Sequence, residues 1–322
     1  MNKLSGNRIL ITGGTGSLGT ALVRRLLERE VDSPACVTVF SRDELKQSQL
    51  RAQFPDDRLR FVIGDVRDYR AVELVLRSHD VVIEAAAMKR IEVCQRFPSE
   101  AIKTNCLGTI NIVEAIREHN LPVTVLGVGS DKGCYPVNTY GKTKSLQEDI
   151  LLAANNDSLQ RFVAVRYGNV MASRGSVILI FLEQIKEGKP LTIRDPNMTR
   201  FLISLDQAVD TILAAYAFAK GGEVYVPMVP SATVGDIADV LIDGREIEKV
   251  YTGAIPGEKM HELLITEDEL SKVILRDNYF VVTPEVQKKA GLLKEYNSKN
   301  HLLDKVRLKE LFSGIGVVEL AK

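Results

Sequence analysis

The sequence predicts an α/β protein: a Rossmann-type, doubly wound parallel sheet carrying a smaller, mostly C-terminal substrate-binding lobe. Three observations predict it. Short runs of β-branched residues alternate with amphipathic stretches from the first residues onward. A glycine-rich turn, Thr12-Gly-Gly-Thr-Gly-Ser-Leu-Gly19, joins the first run to the first amphipathic stretch. Around Gly168 the rhythm loosens and a differently patterned region begins.

The runs Arg8–Thr12, Val37–Phe40, Arg60–Ile63, Val81–Glu84, Val123–Val128 and Phe162–Arg166 are short and apolar, as strands buried on both faces must be. Between them the apolar spacing predicts helices over Leu18–Glu30, Asp43–Gln53, Ala71–Arg77, Pro98–Glu118 and Thr139–Ala154. Strand–helix–strand alternation implies right-handed crossovers and hence parallel pairing. Beyond Gly168 the pattern predicts helices near Val177–Glu187 and Leu205–Lys220, a strand at Glu223–Pro227 and a helical, charged C-terminal section. The lysine-bearing stretch Lys288–Lys309, broken by Glu295 and Asp304, reads as solvated helix faces. The expected division is a dinucleotide-binding domain over residues 1–167, to which 200–226 return, and a substrate lobe from 168–199 and 227–322.

Composition narrows the function classes. Of the 322 residues 45% are hydrophobic, enough for a large core, and 42 basic residues against 42 acidic ones leave a formal charge of zero. A basic field for nucleic acid or anionic membranes is therefore not expected. Cys36, Cys94, Cys106 and Cys134 stand far apart without a CxxC pair or a nearby histidine, which suits a reducing compartment and speaks against a metal site. The N-terminus lacks a signal-peptide pattern, and no apolar run is long enough to span a bilayer. A cytoplasmic enzyme without a membrane partner is the expectation.

The glycine turn has the strand before it and the helix after it that phosphate binding requires. Gly13 permits the tight turn, Gly16 admits the pyrophosphate to the backbone, and Gly19 allows close helix–strand packing, while the helix N-terminus offers amides to phosphate. Thr15, Ser17 and Leu18 complete the same turn. The end of the second strand carries Ser41, Arg42 and, a helical turn on, Lys46, which suit the 2′-phosphate of NADP. NAD, which usually meets an acidic residue there, is the less favoured cofactor. Asp43 stands against that preference, and Ser41 or Asp43 also reads as a plain helix cap. Asp65 and Val66, ending the third strand, are placed to flank the adenine amino group.

Two segments carry the chemistry. Gly129-Ser130-Asp131-Lys132 ends the fifth strand, and Tyr140 and Lys144 follow at i and i+4 on one helix face. An ammonium beside a phenol lowers its pKa and makes it a usable base, so Lys144 is expected to tune Tyr140. Asp131 and Lys132 also read as a surface ion pair at a strand end.

In order along the chain, ITGGTGSLG (11–19), FSRDELKQSQL (40–50), GDVRD (64–68), AAAMKRIEVCQRFPSEAIKTNCLGTINIVEA (85–115), SDKGCYPVNTYGKTK (130–144), RYGNVMASRGSV (166–177), MTRFLISLDQAV (198–209) and PGEKMHE (256–262) resemble the extended short-chain dehydrogenase/reductases. Within them the chain is similar to the UDP-N-acetylglucosamine 4,6-dehydratases of flagellin-sugar and capsule pathways. That resemblance implies a lyase in which Tyr140 deprotonates the carbon-4 hydroxyl, NADP is recycled, a neutral Lys132 takes the carbon-5 proton, and a protonated Asp131 donates to the departing carbon-6 hydroxyl. It implies inversion at carbon 5, and a homo-oligomer, dimer or hexamer. It places Ala85, Ala86, Lys89 and Asn105 at the cofactor, with Lys89 also facing the substrate and Asn105 in a helix that braces the catalytic residues. Ser130, Asn169, Ser176 and Val177 are expected on the UDP-sugar, Arg200 as a diphosphate clamp and Glu258 as a ribose contact. Cys134 is expected to line the site and not to act as a nucleophile. Two departures stand out: Ser130 where threonine is usual, and Gly133-Cys134-Tyr135 where small apolar residues are commoner. A nucleotide-sugar 4-epimerase or 4-ketoreductase is the alternative on the same scaffold, and a catalytically silent redox sensor or scaffold the alternative from another class.

Overall fold

A computed structural model describes residues 4–28, 32–157, 160–171, 173, 175–288 and 291–317. Parts of the expectations above lie outside the described residues: Arg29 and Glu30 of the first helix, Ala172 and Arg174 of the RYGNVMASRGSV run, Lys289 and Ala290 of the lysine-bearing stretch, and residues 1–3, 31, 158–159 and 318–322 of the two lobes.

Six parallel strands follow the apolar runs: β1 (Arg8–Thr12), β2 (Cys36–Ser41), β3 (Leu59–Ile63), β4 (Val81–Glu84), β5 (Thr124–Val128) and β6 (Arg161–Val165). Helices α1 (Ser17–Leu27), α2 (Glu44–Gln53), α3 (Tyr69–Leu76), α4 (Ile91–Arg96), α5 (Pro98–Ile102), α6 (Gly108–Glu118) and α7 (Thr139–Ala153) connect them. From one edge the nine-stranded sheet runs Val273–Arg276, Tyr279–Val282, Val224–Pro227, β6, β5, β4, β1, β2, β3. β1 pairs with β2 on one side and β4 on the other, so Thr12 lies opposite both Phe40 and Glu84. Winding reverses between those neighbours, and the carboxyl ends of β1 and β4 open a crevice at the switch point.

Glycine is required where the turn and the sheet press together. Gly13 has φ +66°, and a Cβ there would sit 2.8 Å from the Cα of Ala86. A Cβ at Gly19 would sit 2.4 Å from the Cα of Gly14, so α1 approaches the turn more closely than any other residue allows.

Past β6 the chain adds α8 (Val177–Lys186), α9 (Leu205–Phe218), α10 (Val234–Ile242) and α11 (Lys305–Gly314). A second apolar cluster gathers Phe181, Ile185, Leu191, Ile193, Ile237, Leu241 and Phe312 around α8, α10 and α11. The main core takes up Phe201, Ile212 and Tyr225, and also Leu264, Val273, Val281 and Tyr296.

The C-terminal section differs from the expectation. Of the described residues beyond 262 only Lys305–Gly314 forms an α-helix; Val273–Arg276 and Tyr279–Val282 form a hairpin that extends the main sheet antiparallel to Val224–Pro227. Lys288, Lys294 and Lys299 therefore do not lie on α-helical faces. The physical reason is legible afterwards. Two four-residue runs rich in β-branched and aromatic residues flank a two-residue loop, Asp277-Asn278, with Asp277 at φ 51° in the left-handed region that Asp tolerates. The helix expected over Pro98–Glu118 is likewise interrupted: residues Lys103–Leu107 make a π-helical turn between α5 and α6. Such turns recur at functional sites.

Candidate active site

At the switch point the glycine turn opens directly into α1. Gly16 is the N-cap and, having no side chain, makes no side-chain cap bond. Thr12 instead reaches sideways, its hydroxyl accepting from the amides of Ala85 and Ala86 at 3.2 Å each, which ties the loop after β4 to the turn. Thr15 is buried and Ser17 and Leu18 open α1. At the end of β2, Ser41 accepts through its carbonyl and its Oγ from Gln47 at 3.1 and 3.0 Å. Asp43 caps α2, accepting from the amide of Lys46 at 3.0 Å and pairing with its Nζ at 2.5 Å. Arg42, with 60% of its side chain exposed, stands 3.6 Å from Asp65, whose carboxylate is also bound by Arg67. Val66 is buried, and a Cβ on Gly108 would meet its side chain at 3.0 Å.

Asn105, in the π-helical turn and fully buried, accepts from the amide of Met88 at 2.8 Å and donates to Met88 O at 3.0 Å and Thr143 Oγ1 at 2.9 Å. One side chain thus fastens the loop bearing exposed Lys89 to α7. The start of α7 is fixed in turn by Asn138, which accepts from the amide of Gly141 at 2.8 Å and donates to Gly257 O at 2.7 Å.

Five of the expected catalytic and substrate residues meet in one cluster around buried Asp131. Ser130 Oγ donates to Asp131 Oδ1 at 2.9 Å and is hydrogen-bonded to the Tyr140 phenol. Lys132 Nζ donates to Asp131 Oδ2 at 2.9 Å and to Asn169 Oδ1 at 2.6 Å. Asn169, expected among the uridine-diphosphate contacts, therefore sits on Lys132. Burial raises the pKa of the Asp131 carboxyl, and the negative charge of Glu262 adds to the rise.

Two of the expected contacts and charges differ here. The cation whose field reaches Tyr140 is Lys132, and burial nevertheless pushes the phenol up to about 12. Lys144 faces the other way: Nζ donates to Val128 O and to Gln147, and burial lowers its pKa to about 8 against the pull of Glu84. Spacing of i and i+4 sets two residues on one face but does not set where a flexible ammonium finds acceptors. Nor is Lys132 neutral. Burial pulls its pKa down, but the carboxylates of Asp131 and Glu262 outweigh burial and leave it raised.

The remaining expected substrate residues are more dispersed. Ser176 caps α8, its Oγ accepting from the amide of Leu179 at 3.5 Å, and Val177 is the first residue of that helix. Arg200 is not extended as a clamp. Its NH1 donates to the carbonyls of Thr199 at 2.9 Å, Lys259 at 3.1 Å and Met260 at 3.4 Å, because the loop at 254–262 turns its carbonyls inward and a buried guanidinium must be satisfied. Glu258 lies 3.3 Å from the amide of Ile255 and 3.8 Å from Arg194. Cys134 is buried and its thiol is pushed up to about 12 by desolvation, which leaves it unreactive.

The same loop supplies groups that the sequence did not single out. Glu262 Oε1 lies 3.4 Å from Lys132 Nζ, and Lys259 Nζ donates to Cys134 O. The run PGEKMHE contained both, but nothing in their spacing announces that they fold back onto Lys132. Glu84 is a second buried carboxyl, raised to about 6 by burial and held by the Thr109 hydroxyl and Gln147.

The family model for polysaccharide biosynthesis proteins matches residues 9–284. A protein named UDP-glucose 4-epimerase from Rickettsia felis is 38% identical over 97% of this chain and 96% of its own length. One of the same name from Rickettsia bellii is 36% identical over the same shares of the two chains, 97% and 96%. Among solved structures, Pen from Bacillus thuringiensis superimposes with a TM-score of 0.91 at 34% identity, covering 98% of this chain and 99% of that one. DesIV, a dTDP-glucose 4,6-dehydratase from Streptomyces venezuelae solved with NAD, shares the fold at a TM-score of 0.71 and 22% identity over 79% of this chain and 86% of that one. The chain belongs to the polysaccharide biosynthesis protein family of extended short-chain dehydrogenase/reductases, enzymes that modify nucleotide sugars.

Proposed function

We propose that the protein is a 4,6-dehydratase of a UDP-sugar, UDP-N-acetylglucosamine foremost, that uses NADP and returns it in its starting oxidation state. The buried Asp131–Lys132 pair beside Tyr140 carries this reading. Epimerisation at carbon 4 needs a base and a hydride carrier, and it gives an adjacent acid and amine nothing to do. Loss of water needs both, because carbon 5 must lose a proton and the carbon-6 hydroxyl must gain one.

The residues fit a dinucleotide. The N-terminus of α1, with glycine at its cap, points its dipole at a pyrophosphate, Gly13 and Gly19 keep the approach clear, and Arg42 and Lys46 supply positive charge for a 2′-phosphate. Bound there, NADP would supply the hydride chemistry, oxidising carbon 4 and later reducing carbon 6. Everything else falls to side chains. Tyr140 takes the carbon-4 hydroxyl proton, aided by its bond to Ser130 and by the charge of Lys132. The ketone at carbon 4 acidifies carbon 5. Lys132 removes that proton once it has released its own to solvent, while Glu262 at 3.4 Å keeps its negative charge opposite it. Asp131 protonates the carbon-6 hydroxyl, which leaves as water. Each general acid or base contributes on the order of 10²–10⁴-fold.

On this reading the substrate's uridine diphosphate lies near the start of α8, where Ser176 and Val177 lie, and near Glu258 of the 254–262 loop. Inversion at carbon 5 follows from the sequence resemblance, and NMR of product made in deuterium oxide reads it. The names of the Rickettsia relatives favour a second reading, a 4-epimerase. Incubation with UDP-N-acetylglucosamine without added reductant separates the two. A product lighter by one water supports the dehydratase; an isobaric product inverted at carbon 4 supports the epimerase and refutes it.

A further inference from the structure

Three cations and two carboxyls meet around Lys132, and the two carboxyls are not equivalent. Asp131 is 1% exposed and faces one cation, Lys132 Nζ at 2.9 Å, with the Ser130 hydroxyl on its other oxygen. Glu262 is 3% exposed and faces three: Lys132 Nζ at 3.4 Å, Arg200 Nε at 3.9 Å and Lys259 Nζ at 3.9 Å. Its backbone is pinned to Ser298, whose Oγ accepts from the Glu262 amide at 2.8 Å and whose amide donates to Glu262 O at 2.9 Å. Its Oε2 accepts no hydrogen bond, so the field of the cations is what stabilises a charge there.

Two neighbouring buried carboxyls do not both ionise readily; one keeps the proton and the other the charge. The charge settles where the cations are most numerous. We propose that Glu262 is the counterion of the cluster: it holds the negative charge opposite Lys132 and thereby keeps Asp131 a carboxylic acid, ready to protonate a leaving hydroxyl. This rests on the reading of Asp131 as the acid of dehydration. Glu262 acts through Asp131 and is a positioning residue.

The local electrostatics agree. Burial raises the Asp131 carboxyl, Lys132 opposes the rise and Glu262 reinforces it. Burial also pushes Glu262 up, but Lys132, Arg200 and Lys259 outweigh that and leave it lowered. A neutral Asp131 further spares Tyr140, whose phenolate an ionised Asp131 would disfavour.

The experiment is infrared difference spectroscopy of the full-length protein near neutral pH, without nucleotide sugar. The carboxylic C=O band that Asp131→Asn removes reports Asp131 alone, so Glu84 does not contribute. That band is expected in the wild type, absent in Glu262→Gln, where Asp131 must become the counterion, and retained in Glu262→Asp. A wild type with no such band overturns the proposal even if Glu262→Gln fails to fold, and so does a band undiminished in folded Glu262→Gln. In turnover, Glu262→Gln should move the alkaline limb of dehydration down by about 1–3 pH units. The spectrum needs no substrate. A protein that shows the band but makes no 4-keto product would therefore refute the dehydratase and support the counterion.

Discussion

Replacing Arg166 by leucine tests how the C-terminal segment is fastened to the helix that carries Tyr140. Arg166 is 8% exposed, and its guanidinium lies between two carboxylates. Its Nε donates to Glu148 of α7 at 2.8 and 3.1 Å, its NH1 and NH2 donate to Glu269 at 2.9 and 2.7 Å, and NH1 also donates to Leu264 O at 3.2 Å. Leucine removes all of these and strands two largely buried carboxylates. Breaking one buried pair costs about 3–5 kcal/mol, and leucine returns at most about 1.5–3 kcal/mol through apolar burial. With two carboxylates orphaned the net loss should stay near 3–5 kcal/mol, a fall in Tm of roughly 5–7 °C for a chain of this size. Urea unfolding and a thermal melt measure it. The triple variant Arg166→Leu, Glu148→Gln, Glu269→Gln should recover most of the loss, because no charge is then buried alone. A single variant within about 1 kcal/mol of wild type, or a triple variant no better than the single, would refute the electrostatic account.

Three other perturbations have defined outcomes. Lys144 binds a proton less readily in the folded chain, about 8 against 10.5, because burial disfavours its charge, so the unfolded chain holds more protons between those values and stability rises with pH across that window. Below it the buried ammonium costs about 3 kcal/mol, and Lys144→Met should flatten the dependence of Tm on pH between 8 and 10.5 relative to wild type. Asn105→Ala removes three hydrogen bonds, leaves the amide of Met88 unpaired and leaves its carbonyl with the Cys94 thiol alone, at 3.6 Å. It should cost about 2–4 kcal/mol, seen in a melt and as faster hydrogen exchange across residues 85–90. Arg42→Ala should weaken NADP about 10- to 100-fold by calorimetry while changing NAD little, since only the former has a 2′-phosphate to meet the guanidinium.

The parallel sheet was legible because strands covered on both faces must be almost wholly apolar, and β1, β2 and β4 are. The hairpin at 273–282 was not, because it lies at the sheet edge, where Leu275 is 57% exposed, amid charged residues that suggest a solvated helix. The glycine turn could be read residue by residue, since both Gly13 and Gly19 are dictated by contacts within the turn and with the strand beside it. Asp131, Lys132 and Tyr140 could be found from their order along the chain, but their protonation could not. Nothing in the order of residues sets Glu262 3.4 Å from Lys132, or Lys144 against Val128 O and Gln147.

The loop at 254–262 touches the start of α7 through Gly257, the turn after Asp131 through Lys259, and Lys132 through Glu262. The glycine turn and the segment from Ser130 to Lys144 thus lie on one stretch of chain, and the groups that set the charge around Lys132 lie on another, more than a hundred residues further on. A cut between the two stretches would leave β1 to β6 on one fragment and Glu262 on the other.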